Sequence, residues 1–196
     1  MKVAIVKYNA GNVSSVMHAL DRLGTEYVLT DDREMLQSAD KVIFPGVGEA
    51  STTMQYLQQH NLDGVIRGLK QPVLGICLGQ QLMCRSSEEG GTECLGIFDI
   101  PVMRFRPSAW EDKVPHVGWN SIEICDDSIL HGLKANEFVY FVHSYYVPLC
   151  EWTAARTEYI LPFSASLHRD NFYATQFHPE KSGPVGEKIL DNFLKL

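Results

Sequence analysis

Cys77 lies in the run Gly75-Ile76-Cys77-Leu78-Gly79, a spacing that can hold and activate a nucleophile. Residues 71–76 read as a short apolar strand and residues 79–84 as the start of a helix, so the thiol is expected on the turn between them. Glycines two residues before and two after the cysteine tolerate a cramped elbow that lifts the side chain above a sheet. A helix N-terminus below it favours thiolate, and unpaired backbone N–H groups there can hold an oxyanion. A thiol also needs a base, and the base needs a partner. Ala174-Thr175-Gln176-Phe177-His178-Pro179-Glu180 can supply both. If this segment is a strand end, His178 and Glu180 point to one face with Cβ atoms roughly 6–7 Å apart. The glutamate would then fix one imidazole nitrogen and leave the other for the thiol. Pro179 removes a ladder donor and stops the strand at the rim of the sheet. Alone, each segment also fits a structural reading: a buried cysteine in a strand-turn-helix, and a surface His-Pro-Glu turn. Together they describe covalent catalysis by Cys77 with His178 carrying the proton.

The elements that must position these groups follow from periodicity. Residues 2–7 form an apolar strand, and 12–23 carry Val13, Val16, Met17, Leu20 and Leu23 at helical spacing, with Gly24 as a C′ residue. Residues 26–29 and 41–44 read as strands, with a helix over about 49–59. From about residue 100 short β-like runs dominate: 101–105, 121–124, 137–143, 152–157, 163–167 and 172–177. A last amphipathic helix, 184–194, presents Val185, Ile189, Leu190, Phe193 and Leu194 to one side, and Pro184 suits its first turn. Alternating strands and helices imply an α/β fold, a mainly parallel sheet flanked by helices, with additional β-strands in the C-terminal half. No repeat, linker or low-complexity tract divides residues 1–196, which are read as a single domain.

Composition narrows the function classes. A net charge of −7 gives no basic footprint, so nucleic acid is not expected as a partner. No apolar run approaches the roughly 20 residues of a membrane span, and residues 1–6 read as a first strand, with no secretory signal. The five cysteines (77, 84, 94, 125 and 150) are odd in number and contain no Cys-x-x-Cys pair. Neither a disulfide framework nor a metal site is expected, and a reducing cytoplasm is the simplest home. No metal spacing links His116 to His143, and no cofactor is called for.

Gly-Ile-Cys-Leu-Gly-x-Gln at Cys77, followed about a hundred residues later by Gln-Phe-His-Pro-Glu, resembles the class I (triad) glutamine amidotransferases. Residues 41–48, 115–120, 140–145 and 176–182 are similar to the branch that serves as glutaminase subunits of imidazole glycerol phosphate synthases, over essentially the whole chain. The resemblance implies the flavodoxin-like fold of class I glutaminases, a catalytic triad of Cys77, His178 and Glu180, and L-glutamine as substrate. Pro45-Gly46-Val47-Gly48 follows a strand and precedes a helix, where a flexible backbone can offer an N–H jointly with Leu78. In the family this loop is the oxyanion strand, so a peptide near Val47, between Gly46 and Gly48, can rotate to complete the hole. Gln81, one helical turn after Cys77, can reach the polar head of the substrate. The resemblance adds backbone contacts at Ser144 and Tyr145. It further implies a (β/α)8-barrel cyclase partner that receives the ammonia, with Trp119, Asn120, Tyr140 and Lys181 toward the docking surface.

Two positions depart from the family pattern. Lys7 stands where an acidic residue commonly ends the first strand, and Gln80 where methionine is usual. The first bears on docking and the second on packing behind the elbow. Other readings stay open at this level: a triad glutaminase serving an anthranilate-type or pyridoxal-phosphate-type synthase, a self-sufficient γ-glutamyl hydrolase, or a regulatory subunit with a relic site. The Pro115–Asn120 block argues against the other triad enzymes, and an intact triad against the last.

Overall fold

The computed structural model describes residues 1–8, 13–46, 48–107, 109–126 and 128–196. In chain order the elements are β1 (Val3–Val6), α1 (Ser14–Arg22), β2 (Tyr27–Thr30), α2 (Arg33–Ser38), β3 (Lys41–Phe44), α3 (Ala50–Gln59) and α4 (Leu62–Gly68). Then come β4 (Val73–Ile76), α5 (Leu78–Met83), β5 (Cys84–Ser87), β6 (Thr92–Glu93) and β7 (Phe98–Arg104). The second half holds β8 (His116–Ser121), β9 (Glu123–Ile124), β10 (Phe138–His143) and β11 (Tyr145–Tyr146). It closes with β12 (Thr153–Tyr159), β13 (Leu161–Arg169), β14 (Phe172–Thr175) and α6 (Gly183–Lys195).

An eight-stranded sheet in the order β2-β1-β3-β4-β14-β13-β12-β9 is the spine. The strands from β2 to β14 are parallel, and β13, β12 and β9 extend the sheet antiparallel. The expected α/β architecture therefore holds, with the antiparallel strands filling the C-terminal half. A parallel sheet is covered on both faces, so its strands are apolar throughout; β1, β3, β4 and β14 are buried at every position. Alternate residues feed two cores. Ala4, Val6, Val42 and Phe44 pack with Leu36, Met54, Leu57 and Ile66 of α2, α3 and α4. Val3, Ile5, Ile43 and Leu74 pack with Ala19 and Leu20 of α1 and Ile189, Leu190 and Phe193 of α6.

Two helices were not expected from periodicity. The α2 helix starts at Asp32, whose carboxylate accepts the Met35 N–H at 2.8 Å, an N-cap that apolar spacing alone does not register. The α4 helix carries interior glycine at Gly64, which weakens its local signal. The helix after Cys77 is also only six residues long and runs straight into β5, part of a small sheet ordered β11-β7-β5-β6. Expected strands 101–105 and 121–124 shift to Phe98–Arg104 and to β8 and β9, because cross-strand pairing rather than local composition sets their ends.

Where β3 ends, its backbone passes directly over the start of α5. A Cβ at Gly79 would land on the Phe44 carbonyl oxygen, whereas one at Gly64 would meet open space. Gly79→Ala is expected to lower stability by about 1–3 kcal/mol through overpacking. Gly64→Ala should instead be neutral or stabilising by up to about 1 kcal/mol. Urea unfolding midpoints of the two variants check this, and equal midpoints would contradict the close approach.

Candidate active site

Because β3, β4 and β14 run parallel, their carboxyl ends meet at one edge of the sheet. Phe44 is in register with Gly75, and Ile76 with Thr175. The next residue after β4 is Cys77, whose N–H donates to the Thr175 carbonyl at 2.7 Å. Cys77 has φ 53° and ψ −105°, a conformation costing an L-residue roughly 1–3 kcal/mol. The surrounding glycines permit it. Its side chain borders a cavity of about 350 Å³ shared with Gly46, Gly48, Leu78, Gln81 and His178.

His178 and Glu180 come together differently from the strand-end expectation. The strand stops at Thr175, His178 stays extended (φ −97°, ψ 97°), and Pro179–Lys181 forms a 3-10 turn. Proline lacks an N–H and has a φ suited to a first helical turn, so it converts the strand end into a turn. The turn brings a Glu180 carboxylate oxygen to 2.7 Å from His178 Nδ1. Both side chains are nearly out of solvent, at 2% and 5% exposure. The other ring nitrogen, Nε2, is buried with no hydrogen-bond partner.

The main chain of His178 is fixed by a clamp that no sequence motif announces. Its N–H donates to the Tyr140 carbonyl at 2.9 Å. The buried Ser182 hydroxyl donates to the His178 carbonyl at 2.6 Å and accepts the Tyr140 N–H at 2.9 Å. Electrostatics then set the ring's charge. Burial works against the imidazolium, but the adjacent Cys77 charge and then Glu180 outweigh it and raise the His178 pKa to about 10.

The loop after β3 holds the other expected group. Gly46 is buried, and a Cβ there would collide with Leu78 and Gly79. Its reason is close approach to α5 rather than the looseness expected from sequence. Gly48 has φ +127°, open to glycine and strained for other residues. Val47 lies outside the described residues. Leu78 is the first residue of α5, and its N–H has no partner within the helix.

Around the cavity several side chains are already committed. Gln81 is 4% exposed, and its amide nitrogen donates to the Tyr145 carbonyl (3.1 Å) and to Gln176 Oε1 (3.0 Å). The Ser144 carbonyl accepts the Phe105 N–H at 3.0 Å. Glu89, which the sequence did not single out, also lines the cavity and accepts the Ala50 N–H at 2.8 Å. Burial raises its pKa. It follows Cys77 by twelve residues in a Glu-Glu-Gly-Gly turn whose local pattern carries no catalytic signal.

His143 and His116 form a second buried pair. His143 Nδ1 donates to the Tyr145 carbonyl at 2.7 Å, so its Nε2 accepts from His116 Nδ1 at 3.1 Å. Burial disfavours the imidazolium form, so both rings are uncharged near pH 7. Burial lowers His143 to about 3, aided by the His178 charge, and burial lowers His116 to about 4. The His116 ring is stacked between Phe141 and Tyr159, at 4.8 and 4.0 Å. Among the described residues no group of three or more His, Cys, Asp or Glu is arranged to hold a metal ion.

Residues expected at a docking surface separate into different places. Trp119 and Tyr140 are cross-strand neighbours on the β8–β10 ribbon, their rings 6.0 Å apart and Trp119 55% exposed. Val117 and Phe138 are exposed beside them. Asn120 alternates to the opposite face, where its amide donates to the Glu158 carbonyl at 2.9 Å and its oxygen accepts the Ser121 N–H. Lys181 is exposed and borders the cavity. Gln80 is fully buried, with its Nε2 3.4 Å from the Ser164 carbonyl and its Oε1 unpartnered. Cys84 is fully buried and its thiol is pushed well up by desolvation, which keeps it unreactive.

The charge pairing makes two measurable statements. In Cys77→Ala the His178 pKa should fall from about 10 by more than one unit, read from imidazole NMR titration. An unchanged value would mean the Cys77 sulfur does not act on the ring. The neutral histidines have the opposite sign. Their folded pKa values lie below the usual 6.5, so their stability contribution is full above about 6.5 and is lost as pH falls toward 4. Urea unfolding between pH 6.5 and 4.5 should show a slope shallower by about 1 kcal/mol per pH unit in His143→Gln than in the parent.

A sequence profile for "Glutamine amidotransferase class-I" matches residues 4–196. The chain is 65% identical over 196 residues to the "Imidazole glycerol phosphate synthase subunit HisH" of Bacteroides thetaiotaomicron, covering all of both chains. To the protein of the same name from Shewanella sediminis it is 42% identical, covering 98% of this chain and 89% of that one. The fold is similar to that of a putative GMP synthase protein from Thermoplasma acidophilum. That match has a TM-score of 0.77 and 22% identity, over 100% of this chain and 92% of the other. A crystal structure described as a glutamine amidotransferase matches with a TM-score of 0.74 and 22% identity, over 98% and 97%. The chain belongs to the class I glutamine amidotransferase family.

Proposed function

We infer that this chain is the glutaminase subunit of an imidazole glycerol phosphate synthase and works with a cyclase in histidine biosynthesis. Support comes from the full-length 65% identity to the Bacteroides thetaiotaomicron protein. The observation that carries the chemistry is Cys77 on its strained elbow, sharing a cavity with a His178 ring whose far nitrogen is bound by Glu180 at 2.7 Å.

In this reading residues 1–196 are one glutamine amidotransferase domain. The Cys77 thiolate attacks the side-chain amide carbon of L-glutamine. Leu78 N–H and a peptide of the Gly46–Gly48 loop near Val47 stabilise the tetrahedral oxyanion, each such donor being worth about 2.7–4 kcal/mol. His178 gives its proton to the departing ammonia, leaving a γ-glutamyl thioester. It then takes a proton from water, whose hydroxide cleaves the thioester to glutamate and free thiol. Gln81, Ser144 and Tyr145 shape the pocket for the amino-acid head. The Glu89 carboxylate, which borders the same cavity, is a charged acceptor for the α-ammonium.

Ammonia passes to a (β/α)8-barrel cyclase, which makes imidazole glycerol phosphate and AICAR ribonucleotide. Trp119 and Tyr140, with Val117 and Phe138, present the apolar face for that docking, and Lys181 adds charge beside it. Asn120 holds the ribbon from behind. The reaction needs no cofactor, and no nucleic acid or membrane takes part; among the described residues no helix is long and apolar enough to cross a membrane. Five free cysteines suit the cytoplasm.

Glutamate release from L-glutamine should be slow for the chain alone. It should rise at least about 10²-fold with the cyclase and its nucleotide ligand, the size of one completed oxyanion donor. Cys77→Ala should abolish it. Brisk turnover indifferent to the cyclase would instead identify a self-sufficient amide hydrolase.

A further inference from the structure

We propose that Gln176 is a further catalytic residue, whose side-chain amide donates an N–H to the Cys77 sulfur and holds it as a thiolate. This rests on the reading of Cys77 as the nucleophile. Gln176 is fully buried in the bend between β14 and His178, with its Nε2 3.6 Å from Cys77 Sγ. On the other side the sulfur lies 3.9 Å from the Val142 carbonyl, which can only accept. The thiolate thus has a donor in Gln176 and none in Val142.

The direction of the amide is dictated by a chain of constraints. The Tyr145 carbonyl can only accept, so the group of Gln81 facing it must be the NH2. The same nitrogen lies 3.0 Å from a side-chain oxygen of Gln176. With its oxygen turned to Gln81, Gln176 must turn its nitrogen to Cys77. A flipped Gln176 would set NH2 against NH2 at one end and oxygen against sulfur at the other. In a water-excluded site each misdirected group carries its full desolvation cost. Gln81 is by this account a positioning residue as well as part of the pocket wall: it orients Gln176 and, through it, the charge of the sulfur.

Other charged or titratable groups also face the sulfur. His178 supplies the counter-charge, Glu180 stands behind it, His143 is neutral, and Glu89, Tyr145 and Lys181 border the same cavity. Lys181 is exposed, so solvent screens its charge. Gln176 is a neutral donor, so its N–H stays on the sulfur whether or not His178 holds its proton.

The test is the pH dependence of iodoacetamide alkylation at Cys77, followed by peptide mapping, in the parent chain, Gln176→Met and Gln81→Met. In Gln176→Met the rate–pH profile should move to higher pH, with alkylation at pH 7 slowed about tenfold, the usual worth of a hydrogen bond to a charged group. Gln81→Met should give a smaller shift of the same sign. A folded Gln176→Met with the parent profile overturns the proposal. Should that variant not fold, the parent decides: the Gln176 side-chain amide signal must move as Cys77 titrates in 15N NMR, and a flat signal overturns the proposal equally. Failure of the nucleophile reading looks different, because Cys77 of the parent would then react no faster than the exposed Cys125.

Discussion

One hydrogen bond, from the Cys77 N–H to the Thr175 carbonyl at 2.7 Å, carries the alignment on which the site depends. It extends the parallel ladder between β4 and β14 by one residue, to the point where each chain leaves the sheet. Parallel strands put like ends together, so Cys77 at the end of β4 and His178 beyond β14 emerge side by side. The same logic places the Gly46–Gly48 loop beyond β3 on the other flank. A one-residue slip of any of these strands would turn its apolar residues from one core to the other, so the packing of two cores fixes the register of the site. Gly46 and Gly79 let the flanking loop and the helix start touch at backbone distance. The site is therefore precise because the sheet is buried on both faces.

Charge in this pocket is set by opposites held close. Buried ion pairs are weak sources of stability, since desolvation offsets most of the attraction. The His178–Glu180 pair, at 2% and 5% exposure with one carboxylate oxygen unpartnered, is therefore a weak source of folding stability. Beside it, His143 and His116 are kept neutral by burial, and His143 also by the positive charge of His178. They act as a rigid hydrogen-bonded strut: His143 holds the Tyr145 carbonyl, and the aromatic stack around His116 holds His143. Two similar rings, those of His178 and His143, thus carry different charges within one pocket.

Much of the site was legible in the chain. The Gly-x-Cys-x-Gly spacing forecast a strained turn, and Cys77 in that turn has a positive φ. His178 and Glu180 were readable as a pair because they are two residues apart, although a 3-10 turn rather than a strand joins them. Glu89, Ser182 and Gln176 were not legible as site residues. Their partners lie 39, 42 and 99 positions away, and nothing in their local sequence marks the far end of those contacts. The separation of Asn120 from Trp119 follows from strand alternation, but only once β8 is known to be a strand.

The sequence by itself determined what is local: apolar runs for strands, helical spacing, the elbow, and the turn that joins His178 to Glu180. These depend on backbone sterics and on neighbours within a few residues, which composition encodes directly. Only the tertiary structure decided which strand ends meet, which polar groups the cavity retains for substrate, and which are consumed by partners across the fold. Those outcomes are fixed by long-range packing and by the pressure on buried polar groups to find partners, which lie on distant segments of the chain.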